Sequence, residues 1–298
     1  MQENPANDNI SQEVLMYNRL RRWFSTLSQY SKALYASFYS SVLYADVVKR
    51  WHGLGIGYLL FLIILGAIPL SGRVIIAFNH FFKGEILFPI QALPLLTIQN
   101  GEITYNQPMP YLIKNNRREV VSIIDTTGTV SEMNQSYPQL TVLITKNKMI
   151  LRPPSYKQFL GLAKDNIGNP IYTRTFDKGV NGLLSGAEWI QSTGISRLNT
   201  LMQILVFPCV TLFYFGVFWV MLLLLSALVQ LYSDIFFSFK LQFKASCRLL
   251  AIAATPTLVL FFFMRCGNFS LPGMGLVYGV LILSYTSYGL YSVKRFRV

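Results

Sequence analysis

Ser122-Ile123-Ile124-Asp125-Thr126-Thr127-Gly128-Thr129-Val130 is the stretch whose residue types and spacing could carry group-transfer chemistry. A carboxylate followed by Thr-Thr-Gly-Thr supplies a nucleophile for phosphorus, hydroxyls to orient a phosphoryl group, and a glycine that lets backbone approach it. That chemistry also needs metal ligands and a cradle for nucleotide phosphates. The chain contains no P-loop and no other nucleotide-binding spacing. The competing reading is structural. "EVVSIID" is then a β-strand and "TTGT" its turn, with Gly128 free to take a positive φ and Asp125 bonding to the backbone two residues on. Asn100-Gly101 has a similar double reading, as candidate binding residues or as a hairpin turn. Asn100, Gly101, Asp125, Thr126, Thr127 and Gly128 are the candidate binding residues, and all six read first as turn residues.

Other reactive groups form no constellation. Cys209, Cys247 and Cys266 are scattered and odd in number, which gives neither a disulfide framework nor a metal spacing. His52 and His80 stand far apart and flank an apolar run, where interfacial histidines are common. No Ser/His/Asp, Cys/His or paired-carboxylate arrangement is visible. The expectation is a protein without catalytic residues, metal or cofactor.

The elements that hold these residues are set by an uneven charge distribution. Of 298 residues, 52% are hydrophobic and 13% charged, against roughly 25% charged in soluble domains. Residues 51–72, 198–233, 249–264 and 266–293 contain no Asp, Glu, Lys or Arg. A helix of about 20 apolar residues crosses the hydrocarbon core. Three runs reach that length, and the 249–264 run does so if Arg248 and Arg265 snorkel to the interfaces. The expected fold class is an integral membrane protein with four transmembrane α-helices, at 53–76, 198–230, 248–266 and 271–293. A small β-rich extracytoplasmic domain, 77–197, separates the first two. Residues 1–18 are expected to be disordered, 19–52 to be a cytoplasmic amphipathic helical region, 231–247 a cytoplasmic loop and 294–298 a cytoplasmic tail.

Orientation follows Lys/Arg in the short flanks. Arg19, Arg21, Arg22, Lys32, Lys49, Arg50, Lys240, Lys244, Arg248, Lys294, Arg295 and Arg297 all fall on one side of a four-span arrangement. Both termini are therefore expected in the cytoplasm. This asymmetry accounts for much of the +13 net charge, so membrane lipid, and not nucleic acid, is the expected charged partner. It also bears on Asp125. The P-type ATPases carry D-K-T-G-T, whereas this chain has Thr126 in place of the lysine and places the motif outside, where ATP is scarce.

Within 77–197, "LLTIQNGEITY" alternates Leu96, Ile98, Ile103 and Tyr105 with polar residues around an Asn-Gly pair, the favoured type I′ hairpin turn. "LTVLIT" and "MILR", joined through Lys146-Asn147-Lys148, make a second strand pair, and "EVVSIID" a further strand, for a sheet of about five. "YKQFLGLAK" and "GLLSGAEWIQ" read as short helices. Before the first span, Leu34, Phe38, Val42, Ala45 and Val48 recur at helical spacing, which predicts an amphipathic helix on the inner surface. Gly275 and Gly279 form a small-xxx-small pattern expected to serve packing within the chain. Asn134-Gln135-Ser136 and Asn268-Phe269-Ser270 fit the glycosylation pattern and carry no weight.

"SFYSSVLYADVVKRWHGLGIGYLLFLIIL", "LPLLTIQNGEITYNQPMPYLI", "VVSIIDTTGT" and "LTVLITKNKMIL", in that order, resemble the bacterial family called domain of unknown function 1189. The resemblance covers roughly residues 35 to 295. Some members are labelled maltodextrin-utilisation proteins, and the last three spans also resemble Yip1-type bundles. The resemblance implies the fold and a place in the bacterial cytoplasmic (inner) membrane, and brings no catalytic residues. The expected function is that of a non-enzymatic accessory, sensor or scaffold protein whose outer domain binds a ligand or a protein partner. A sugar or lipid transporter subunit is the alternative, and a membrane enzyme a lesser one.

Overall fold

The computed structural model describes residues 27–296, apart from 134, 161, 163 and 164. The polar terminus 1–18, Arg19, Arg21, Arg22, Asn134 and Arg297 lie outside the described residues. The chain divides into two compact units, Met1–Gly72 with Phe207–Val298, and Arg73–Val206.

The first unit is helical. Residues 27–36 form α1, followed by α2 (Ser41–Arg50), α3 (Ile56–Phe81), α7 (Ile195–Phe237), α8 (Phe243–Ala253), α9 (Thr255–Gly267) and α10 (Met274–Arg295); α3 and α7 run on into the second unit. Among the described residues, three helical stretches are long and apolar enough to cross a membrane: Ile56–Gln91, Ile195–Phe237 and Met274–Arg295. There are four if α8 and α9, bent by 44° at their junction, count as one. The run 198–233 is thus a single helix, as its length predicts. The 248–266 segment is not straight. Pro256 sits in the first turn of α9, where its missing N–H costs nothing, but it cannot continue the hydrogen-bond ladder of α8.

The N-terminal amphipathic segment is two helices rather than one, and it packs within the unit. The chain leaves helix at residues 37–40. Ser40 then caps α2, its hydroxyl accepting from the Leu43 amide at 3.3 Å. That break shifts the apolar face. Tyr44, Ala45 and Val47 are buried, whereas Phe38 and Val42 of the predicted stripe are exposed. The buried face meets α8 and α10, where Gly289 admits the Tyr44 ring and Leu249. Arg248 is tied to the end of α2. Its guanidinium donates to the carbonyls of Val48, at 2.9 Å, and Trp51, satisfying acceptors that the end of α2 leaves open. Tyr58 and Thr255 join α3 to α9 through a buried hydroxyl pair at 3.0 Å. Gly275 and Gly279 do not serve the packing expected of them, since a Cβ at either would meet nothing within 4 Å. The close approach falls lower on α10, at Gly289.

The second unit carries eight strands among the described residues. These are β1 (Leu96–Gln99), β2 (Glu102–Thr104), β3 (Tyr111–Lys114), β4 (Val120–Asp125), β5 (Val142–Thr145), β6 (Lys148–Leu151), β7 (Tyr172–Thr175) and β8 (Gly182–Leu184). They form two sheets instead of one of about five strands, ordered β2-β1-β8 and β3-β4-β5-β6-β7. β4 and β5 are parallel, with Ile123 opposite Leu143 and Asp125 opposite Thr145. Parallel neighbours need a crossover connection, and residues 126–141 supply it. Both faces of these strands are covered. Ile123, Leu143 and Ile150 meet Val130, Met133, Tyr137 and Leu140 of the crossover. Ile124, Val142, Ile144 and Met149 meet Ile90, Leu93 and Ile190. Two-sided burial explains why "VVSIID" and "VLIT" read as continuous apolar runs. The helices here are α4 (Phe88–Gln91), α5 (Tyr156–Phe159) and α6 (Gly186–Thr193), with a π-helical turn, Phe82–Leu87, between α3 and α4. The predicted "GLLSGAEWIQ" helix is therefore half strand β8 and half α6.

Candidate functional site

Asp125 ends β4 and is fully buried. Its Oδ1 accepts from the Thr127 amide at 2.9 Å and the Thr127 hydroxyl at 2.5 Å, and its Oδ2 accepts from the Val130 amide at 2.5 Å. Burial opposes ionisation of this carboxyl. Hydrogen bonds from the Thr127 hydroxyl and from the amides of Val130, Thr127 and Gly128 outweigh it and hold the pKa below the usual aspartate value. Gly128 has φ +88°, which lets the chain fold back over the carboxylate. Both oxygens thus point into their own turn, closing the entrance to the β4–β5 crossover. Thr126 is half-buried, and Thr127 and Gly128 are exposed around it.

Asn100 and Gly101 join β1 to β2 with φ of +51° and +79°, the two positive values that a type I′ turn requires. Gly101 donates to the Val180 carbonyl at 3.0 Å, and the Asn100 amide to Asn181 Oδ1 at 2.7 Å. A Cβ on Gly101 would strike the Asp177 carbonyl. The turn is therefore held against the loop before β8. The structure keeps the six sequence candidates in two separate turns and brings them into no common site.

A polar cavity of about 370 Å³ lies elsewhere in the unit. Its one wall is the end of α3 and the π-helical turn, with His80, Lys83, Gly84 and Glu85; Phe88 follows at the start of α4. Its other wall is the β3–β4 turn, with Asn115, Asn116 and Arg117. The turn is built by Asn115, whose Oδ1 accepts from the amides of Arg117 at 2.9 Å and Glu119 at 3.0 Å. Asn115 Nδ2 donates to Glu119 Oε2 at 2.8 Å, and Arg118 takes φ +64°. Arg117 lies 3.8 Å from the Glu85 carboxylate; the Arg117 side chain is 74% exposed and that of Glu85 18%. A π-helical turn widens the helix by one residue and often marks a functional position.

In the sequence His80 reads as an interfacial histidine, and the other lining residues carry no mark of a site. The available signal was "HFFKGE" directly after an apolar run and "KNNRRE" in a hairpin turn, two polar clusters with no local reason to meet. Among the described residues, no three His, Cys, Asp or Glu side chains stand close enough to hold a metal ion.

No curated protein and no solved structure matches this chain. The family described as "Protein of unknown function (DUF1189)" matches residues 31–290, a stretch that takes in both units. With most of its length so covered, the chain belongs to the DUF1189 family.

Proposed function

We propose that this chain is a multi-pass protein of the bacterial cytoplasmic membrane, with four spans, both termini in the cytoplasm and the β-rich unit outside. It acts there without catalysis, as an accessory or sensor protein whose outer unit binds a ligand or a protein partner. The observation that carries this reading is a folded β-rich unit with an open polar cavity, inserted between two helices apolar enough to span. Leu212, Phe213 and Leu224 of α7 point outward, 67%, 65% and 66% exposed, which suits lipid and not water. Counting α8 and α9 as one span gives an even number of crossings, and the twelve flanking basic residues favour the cytoplasm for both ends.

The test begins with a single cysteine at exposed Ser136, in a chain whose Cys209, Cys247 and Cys266 are replaced. A membrane-impermeant maleimide is expected to label it in intact cells. Labelling only after lysis would invert the arrangement. Cross-linking and native purification from membranes then test the accessory role. Recovery of the chain alone under every growth condition would remove that role.

A further inference from the structure

We propose that the cavity between Lys83 and Arg117 is a binding site for a phosphate-bearing anion, carried by a lipid headgroup or by a soluble phosphate. This rests on the ligand-binding reading of the β-rich unit and adds the chemical class of the ligand.

The first support is the balance of donors and acceptors. The lining carries Lys83 and Arg117 against one carboxylate, Glu85, and Lys114 and Arg118 flank it in the same hairpin. The nearby acids are engaged: Glu119 accepts from Asn115 at 2.8 Å, and Glu85 faces Arg117 at 3.8 Å. His80, Lys83 and Asn116 make no side-chain hydrogen bond or ion pair among the described residues. Arg117 has five N–H donors in a planar fork, and at 3.8 Å its contact with Glu85 is an ion pair beyond hydrogen-bond length. A lysine point charge beside an arginine fork, with amide donors at the rim, is the donor set that phosphate takes.

The second support is shape. Gly84 sits in the cavity wall on the π-helical turn, and a Cβ there would meet nothing within 4 Å. The position is thus open on the cavity side, although most other residues would favour helix more than glycine does. The third is location along the helix. Ile76, exposed and apolar, lies seven residues before Lys83, about 10 Å at the α-helical rise. A headgroup layer is about 5–8 Å thick on each side of the hydrocarbon core, so Lys83 falls at its outer edge when Ile76 lies at the core boundary.

The experiment uses the purified full chain and two probes. Inorganic phosphate is titrated in neutral detergent and followed by thermal shift. Bound lipid is counted by native mass spectrometry after release from nanodiscs of phosphatidylcholine, with and without phosphatidylglycerol. Two variants accompany the wild type, Lys83→Gln with Arg117→Gln, and Gly84→Glu. All three positions are exposed, so both variants are expected to keep the wild-type melting temperature. Binding in at least one arm is expected, weakened about tenfold or more by the double change and abolished by Gly84→Glu. Binding of phosphate alone identifies a soluble ligand, and selective retention of phosphatidylglycerol identifies a lipid headgroup. Binding of neither probe above the level of the double variant overturns the proposal, as does binding that Gly84→Glu leaves unchanged. If neither anion binds but a cross-linked partner is lost in Gly84→Glu, the anion class falls and the ligand-binding reading stands. If the partner is also absent from the wild type, that reading falls with it.

Discussion

Asp125→Asn separates a carboxylate that caps a turn from one that attacks a substrate. In the wild type one oxygen takes two donors from Thr127 and the other takes the Val130 amide. Asparagine keeps one acceptor and turns the other into a donor. Whichever way the amide is oriented, an N–H then faces an N–H. Hydrogen bonds to charged groups contribute about 1.5–3 kcal/mol each. Thr127 is exposed and Val130 half-buried, so water can reach the freed donors, and the low end applies. The expected loss is about 2 kcal/mol, or about 6–8 °C in the midpoint for a unit of this size. Trp189 packs on the core of the β-rich unit and is the only tryptophan within Arg73–Val206. With Trp23, Trp51 and Trp219 replaced by Phe, its fluorescence reports that unit alone in the detergent-solubilised full chain. The pH dependence has a defined sign. A carboxyl whose folded pKa lies below its unfolded value stabilises above the unfolded value, about 3.9, and loses that contribution as pH falls through the folded one. The gap between wild type and Asp125→Asn is therefore largest at neutral pH and closes in acid. An unchanged midpoint at neutral pH, together with ATP-dependent phosphate incorporation that asparagine abolishes, would refute this reasoning and restore the phosphoryl reading.

Two further changes test the helical unit. Arg248→Met keeps the stem of the side chain and removes the donors to Val48 and Trp51. Hydrogen exchange in residues 41–50 is expected to speed up, by a local loss of about 2 kcal/mol, while the Trp189 transition stays in place. Equal protection of α2 in both proteins would show that apolar contact alone holds it. Gly289→Ala places a methyl 2.7 Å from the Tyr44 ring and 3.1 Å from Leu249. Overpacking costs about 1–3 kcal/mol, against a helix-propensity gain of up to about 1, so thermal unfolding in detergent is expected to show net destabilisation. Gly279→Ala on the same helix, with open space around it, is expected to be neutral or mildly stabilising. Identical midpoints for the two variants would contradict the packing described.

Local signals in the sequence were legible and non-local ones were not. The β1–β2 hairpin follows from one dipeptide, because two successive positive φ values leave few choices of residue. The β5–β6 pair follows from apolar runs flanking a short polar turn. β7 left no such trace, since all four of its residues are exposed on an edge strand. β8 has a glycine and two leucines, which read as the start of a helix. The amphipathic stripe held at Leu34, Ala45 and Val48, which are buried or packed on the core, and failed at exposed Phe38 and Val42. Its helical phase was carried through residues 37–40, where Ser37 and Ser40 bond to backbone and let the chain turn out of helix. The cavity was invisible because its walls lie about thirty residues apart in sequence, and each alone is an ordinary polar end to an apolar element.

The Asp-Thr-Thr-Gly turn shows where that limit falls. A phosphoryl-accepting aspartate and a capping aspartate both follow a buried strand, and both need small hydroxyl residues and a glycine beyond them. The local sequence requirement is therefore shared, and it separates the two poorly. What the motif alone does not fix is where the carboxylate oxygens point, and here they point into the turn. Here β4 pairs in parallel with β5, so the chain must leave β4, cross over, and return along the same direction. The first step of that path is a sharp turn over the strand end. A buried carboxylate that accepts the Thr127 and Val130 amides is what stabilises it. An aspartate so used has its oxygens turned inward and its pKa lowered, by donors from Thr127 and Gly128 within the motif and from Val130 just past it.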